Sequence, residues 1–176
     1  MARRKKLKFF QGKYALKNPH KYMGNPLAVI FRSSWELRIF EILDESKNVT
    51  RWASEYYKVP YWDSIKGKMR VYFTDIYVDF NNNGKKTSFI WEIKPLYKLG
   101  KEQKNSYAAK ETINIFEKAE ATIHFINKMN AFREVPVVFA FVTIDLNGSF
   151  KMIRYKGVNK QKKSLVKNTL SLKKVL

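Results

Sequence analysis

The chain has 176 residues, 45% of them apolar and 15% aromatic, enough for one domain with a sizeable core. It carries 35 lysines and arginines against 15 acids, a net charge of +20, and no cysteine; disulfides and thiolate zinc sites are excluded and a reducing compartment fits. No apolar run approaches a membrane span and the basic start lacks a signal-peptide stretch, so the expectation is a soluble intracellular protein with no membrane partner.

In chain order, residues 1–26, "MARRKKLKFFQGKYALKNPHKYMGNP", read as a basic N-terminal arm, with Phe9, Phe10, Tyr14 and Tyr22 available to dock on the body. The domain proper is expected over 27–155. It opens on a helix at "SSWELRIFEILDE", where Ser33 suits the N-cap and Glu36 stands at the capping-box position. "YYKVPYW" (56–62) reads as a strand that Pro60 confines to an edge or a bulge. "MRVYFTDIYVDF" (69–80) and "TSFIWEIK" (87–94) read as strands joined by the hairpin signal "NNNGKK", and Pro95 ends the second. A long helix is expected from about 102 to 129, with Tyr107, Ile113, Phe116, Ile123 and Ile126 among its apolar positions. "VPVVFAFVTI" (135–144) reads as a strand buried on both faces, turned by "DLNG" into "SFKMIRY" (149–155). Residues 156–176 form a basic C-terminal tail, either an amphipathic helix or irregular chain. Helix, three antiparallel strands, long helix, buried strand and hairpin partner make a mixed α/β domain.

The charge is concentrated at the two ends. Nine basic residues and no acid precede Glu36, and nine more with no acid follow Asp145, leaving 17 basic and 15 acidic residues between them, a net of +2. A nearly neutral body with two cationic arms is the electrostatic footprint of nucleic-acid binding, each phosphate contact releasing a counterion. Arg3, Arg4, Lys5 and Lys6 are the first candidates for backbone contact. The plain alternative is a solvated tail or a segment docked on another anionic partner.

Acids within the aromatic strands mark the candidate site. Side chains alternate along a strand, so Asp75, Tyr77 and Asp79 share one face, and Glu92 and Lys94 share one face of the next strand. Asp75 and Glu92 brought together repel unless a cation sits between them. Mg²⁺, with Mn²⁺ as an alternative, suits an all-oxygen site of one or two carboxylates with water and phosphate as further ligands. It activates water and stabilises charge on phosphate, and a lysine beside it orients that water. Several plain readings stand beside this one. Glu36 is either a further ligand or only the capping-box residue. Glu92 and Lys94 are either site residues or a surface pair. Asp79 reads as a strand-end or turn acid before the asparagines rather than a ligand. His20 and His124 are too few for a zinc site, and seven glycines with no phosphate-cradling loop give no sign of an ATPase.

Thr74-Asp75 followed by Glu92-Ile93-Lys94 on consecutive strands resembles the PD-(D/E)xK nuclease superfamily, with Thr74 in place of the proline. In that superfamily the preceding helix often adds an acid, here Glu36. Gln103 and Tyr107 are similar to the Q-x-x-x-Y helix of RecB-like nucleases, which implies DNA contact; Tyr107 as a core residue is the alternative. A broader set resembles head-completion nuclease-like proteins of T-even-type tailed phages. It comprises Lys21 to Pro26, Arg32 to Glu36, Trp52 to Tyr61, Tyr72 to Ile76 and Glu92 to Pro95, within roughly 18–95.

That resemblance implies a restriction-endonuclease-like αβββαβ core, a mixed sheet flanked by helices. It implies metal-dependent cleavage of double-stranded DNA at Glu36, Asp75, Glu92 and Lys94, with Asp75, Glu92 and Glu36 on the metal. It also implies a role in finishing the packaged head, in the host cytoplasm during assembly and in the virion head or neck, beside portal or head–neck proteins. Glu55 matches the pattern too, as a structural hydrogen-bonding residue or a charge partner rather than a catalytic one. Two rivals share the sequence evidence: a non-catalytic, portal-closing DNA-binding component, and a transposase-end or junction-resolving nuclease.

Overall fold

The computed structural model describes residues 10–99, 106–144, 149–157 and 169–171. Two short strands, β1 (Gly12–Lys13) and β2 (Ile30–Phe31), pair antiparallel ahead of α1 (Ser34–Glu45). Ser33 caps α1 by accepting the Glu36 N–H at 3.1 Å, and Glu36 reaches back to accept from the Ser33 hydroxyl at 3.0 Å. The N-cap expected of Ser33 is made, with the second Glu36 oxygen on the Arg32 N–H (2.9 Å) in place of the Ser33 N–H of a full capping box. Ile39, Phe40 and Leu43 recur at helical spacing and form the buried stripe of α1.

There follow β3 (Val49–Ser54), β4 (Lys58–Asp63), β5 (Lys68–Phe73), β6 (Ile76–Asn82), β7 (Lys85–Ile93), the short α2 (Leu96–Leu99), α3 (Ser106–Asn130), β8 (Val137–Ile144), β9 (Phe150–Arg154) and β10 (Thr169–Ser171). One sheet has the order β10-β9-β8-β7-β6-β3; β7 and β8 are parallel, linked across α3, and the other pairs are antiparallel. The expected αβββαβ order is present as α1-β3-β6-β7-α3-β8. One face of the sheet packs Phe40, Leu43, Trp52, Val78 and Trp91 on the α1 side. The other packs Tyr77, Ile90, Phe141, Ile115 and Ala119 on the α3 side. β7 is buried on both faces from Ser88 to Ile93, as is most of β8, which is why neither shows alternation.

The first strand of the core differs from expectation. It is Val49–Ser54, whose register shifts between Val49 and Arg51 and so breaks the period-2 pattern. The run 56–62 instead supplies β4, which pairs only with β5 in a separate ribbon. The run 69–80 is two strands, interrupted at Thr74 and Asp75. There the Thr74 N–H donates to the Tyr57 carbonyl at 3.0 Å and the Asp75 carbonyl accepts the Glu55 N–H at 3.3 Å, so the chain crosses from ribbon to sheet.

Residues 10–26 pack on the body. Tyr14 is in the core, and its hydroxyl donates to buried Asp44 at 3.1 Å. Asp44 also accepts the backbone N–H groups of Lys17 (2.6 Å) and Asn18 (3.0 Å). Tyr22 packs edge-on to Trp52, and Phe10, exposed, lies 5.5 Å from the Phe31 ring. Phe9 lies outside the described residues. Part of the C-terminal tail, Thr169–Ser171, is a strand paired with β9, where helix or irregular chain was expected.

Candidate active site

The register of β6 and β7 sets Ile76 opposite Trp91, which brings Asp75 opposite Glu92 on the α3 face. Lys94 follows two residues after Glu92 and turns back between the two carboxylates. Its Nζ lies 2.8 Å from Glu92 Oε1, 3.4 Å from Asp75 Oδ2 and 3.1 Å from the Ile93 carbonyl oxygen. Three oxygens thus converge on one cation. Asp75 Oδ2 is fixed further by the Ile93 N–H at 2.7 Å. Glu92 is buried, so the pair is not a surface pair, while Asp75 and Lys94 reach the surface.

The electrostatics follow from two acids sharing one ammonium. Burial, then the neighbouring Asp75, push the Glu92 carboxyl up to about 7, against the opposing pull of Lys94. Burial alone would lower Lys94, but Asp75 and Glu92 outweigh it and hold the ammonium protonated far above neutrality. With both acids ionised the trio carries one excess negative charge in a dehydrated place.

Glu36 approaches from α1. Its carboxylate caps the helix and accepts the Arg32 N–H at 2.9 Å. Burial raises its pKa, the Arg32 N–H opposes this, and Asp75 adds to the rise. Glu36 therefore serves the cap and also stands within the field of the site. The Arg32 guanidinium donates to both Glu55 oxygens, at 2.7 and 3.1 Å. Glu55 sits at φ 51°, a left-handed backbone uncommon outside glycine, and its N–H holds the Asp75 carbonyl. Glu55 is thus a charge partner that ties the start of α1 to the Asp75 turn.

Lys118 of α3 was not singled out from the sequence. Its Nζ lies over the rings of Tyr61 (5.5 Å) and Tyr72 (5.4 Å), and the Tyr72 hydroxyl donates to its carbonyl at 3.0 Å. Tyr72 also bonds Thr122 one turn on. Burial lowers the Lys118 pKa, and the negative charges of Glu92 and Asp75 counteract that. Nothing in its local sequence marks it; only α3 packing on the ribbon does.

The remaining candidates lie elsewhere. Asp79 is buried in β6, accepting from Arg51 (2.7 and 3.0 Å), the Tyr77 hydroxyl (2.6 Å) and Ser88 (2.6 Å). It is the centre of a side-chain network within β6 rather than a strand-end or turn acid. Tyr107 is 79% exposed and not core, and His124 is exposed. Gln103, Arg3, Arg4, Lys5 and Lys6 lie outside the described residues.

Among the described residues no three Asp, Glu or His side chains converge as a metal cluster. The donor set present is Asp75, Glu92 and the Ile93 carbonyl. All are hard oxygens, and they already surround a cationic group, which fits Mg²⁺.

Residues 46–132 match the family model "TnsA-like endonuclease N terminal". This stretch contains Asp75, Glu92, Lys94 and Lys118, while Glu36 lies before it. The chain is also 40% identical over 86 residues to the head completion nuclease of Enterobacteria phage T4, covering 49% of this chain and 55% of that protein. The matched part thus spans about half the length of that curated relative. No solved structure matches. The chain is thus similar over residues 46–132 to TnsA-like endonucleases and over 86 residues to a phage head completion nuclease, and it has the restriction-endonuclease-like fold.

Proposed function

We propose that this protein is a Mg²⁺-dependent DNA endonuclease that acts on or holds the packaged DNA end at phage head completion. The observation that carries the proposal is the convergence of Asp75 Oδ2, Glu92 Oε1 and the Ile93 carbonyl on the Lys94 ammonium. Asp75, Glu92 and the Ile93 carbonyl would hold the ion. When bound, a divalent ion supplies an activated water and neutralises charge on the phosphate. Lys94 orients the attacking water and offsets charge developing on the phosphoryl oxygens. Glu36, raised by burial, receives or relays a proton at the rim of the site. Lys118 contacts a non-bridging phosphate oxygen from the α3 side. Water oxygen bonds to phosphorus and one P–O ester bond breaks.

The relative from phage T4 is named a head completion nuclease, which supports the head-completion role. On this reading the substrate is double-stranded DNA, portal or head–neck proteins are the partners, and the protein works in the host cytoplasm during assembly and stays with the virion head or neck. The basic ends, from Arg3, Arg4, Lys5 and Lys6 onward, hold the DNA backbone without reading sequence.

The test is supercoiled plasmid with Mg²⁺ or Mn²⁺, comparing wild type with Asp75→Ala and Lys94→Ala. Nicking that both substitutions abolish supports the reading. Equal nicking in all three removes the site. Salt-sensitive binding without cleavage supports the non-catalytic rival.

A further inference from the structure

The β6–β7 hairpin carries charged groups at both ends. Asp75, Glu92 and Lys94 stand at the end away from its turn. Near the turn, a cavity of about 270 Å³ opens between β3, β6, β7 and the loop after α3. Its charged lining is Arg51, Asp79, Lys86 and Arg133, three cations against one acid, a net of +2. Asp75 and Asp79 are four residues apart, about 13 Å of extended chain. Tyr77, packed against the rings of Tyr56 and Tyr57, stands between them. The cavity is therefore separate from the acid–lysine site.

The charge of Asp79 is already satisfied inside the fold. Its Oδ1 accepts from the Tyr77 and Ser88 hydroxyls, and its Oδ2 from Arg51 Nε and Nη2. Arg133 is aimed by the same network: Nη2 donates to the Tyr77 hydroxyl at 3.0 Å and Nε to the Val135 carbonyl at 3.1 Å. These bonds leave Nη1 of each guanidinium over. Lys86, exposed on β7 opposite Asn81, adds the third cation. Glu134, next to Arg133 in the chain, is exposed and does not line the cavity. Ion pairing within the fold explains Arg51 beside Asp79. It does not explain why Arg133 and Lys86 gather around an acid whose two oxygens are both occupied. Donors held in place before a ligand arrives lose little freedom when it binds.

Size and charge identify the ligand. The cavity is below the range of about 300–1,000 Å³ typical of sites for drug-sized molecules, so it takes a small group. Guanidinium forks match phosphate oxygens, and a lysine adds a point charge. A net of +2 balances a phosphate monoester, which carries about −1.5 to −2 at neutral pH, better than a singly charged carboxylate or phosphodiester. We infer that this cavity binds a phosphate monoester dianion, supplied either as free phosphate or as the terminal phosphate of a DNA strand. The inference uses none of the residues assigned to cleavage and stands whether or not the protein is a nuclease.

The experiment is calorimetric titration of the full chain with inorganic phosphate at about pH 8, where phosphate is a dianion, at constant ionic strength and without divalent metal. Wild type should bind one phosphate per chain. Lys86→Gln, which breaks no bond of the Asp79 network, should weaken binding about tenfold, and Lys86→Gln/Arg133→Gln should abolish it. Lys66→Gln/Lys68→Gln removes two exposed charges outside the cavity and should bind as wild type does. No saturable site in wild type, unchanged affinity in Lys86→Gln, or equal losses in the two double variants would overturn the inference. A short duplex with and without a 5′-terminal phosphate separates the two sources. Tighter binding of the phosphorylated duplex by wild type, lost in Lys86→Gln, assigns the cavity to a DNA end. Equal binding of both duplexes, beside a saturable site for inorganic phosphate, assigns it to free phosphate.

Discussion

Substituting Glu92 by glutamine should change how stability depends on pH. Glu92 is buried, and burial with the adjacent Asp75 moves its carboxyl from the ordinary 4.5 to about 7. Below the unfolded value both states hold the proton and Glu92 costs nothing. As pH rises towards 7 the unfolded chain releases the proton and the folded chain keeps it, so folding loses stability. Above 7 the full penalty is present. The difference between about 4.5 and about 7, at about 1.4 kcal/mol per pH unit, makes that penalty about 3 kcal/mol.

The assay is urea unfolding of wild type and Glu92→Gln without divalent metal, between about pH 5 and pH 8. The variant lacks this titration, so whatever its offset, wild type should lose about 2–3 kcal/mol relative to it across that range. Millimolar Mg²⁺ at the upper end should restore wild type and leave Glu92→Gln unmoved. Parallel stability curves would refute the claim that Glu92 titrates as a buried acid short of positive charge.

Further expectations concern the residues around the trio. Lys118→Met should reduce plasmid cleavage about 10–100-fold, with Lys118→Arg recovering part of it and thermal stability little changed; full activity in Lys118→Met would remove its phosphate role. Asp79→Asn should cost about 2–3 kcal/mol by weakening the Arg51, Tyr77 and Ser88 bonds, while nicking persists at temperatures where the variant stays folded. Asp44→Ala should unpin residues 14–18 from α1, seen as faster hydrogen exchange there and a loss of about 2–4 kcal/mol.

The legible part of the site was local. Asp75 stands at the entry to β6, Glu92 lies in β7 and Lys94 just after it, so the hairpin signal and the two-residue spacing bring them together, and Ser33 with Glu36 makes an N-cap written in four residues. What escaped needed long-range information. β3 hides behind a bulge at Val49 to Arg51 and so yielded its place to the ribbon strand 56–62. Lys118 is one of several lysines on α3, and only the rings of Tyr61 and Tyr72 distinguish it. Asp79 looked like a turn acid because its partners Arg51 and Ser88 lie 28 and 9 residues away. The strand Thr169–Ser171 is three residues long in a lysine-rich tail and has no periodicity to read.

The central claim, that three oxygens around the Lys94 ammonium form a divalent-metal site, is tested most directly by Mn²⁺ binding calorimetry at about pH 8, above the Glu92 titration. Wild type should bind one strong ion per chain and Asp75→Asn none. Lys94→Met, freed of the competing ammonium, should bind at least as tightly while failing to cleave plasmid. Equal Mn²⁺ binding by wild type and Asp75→Asn, or no strong site in wild type and Lys94→Met alike, would contradict it.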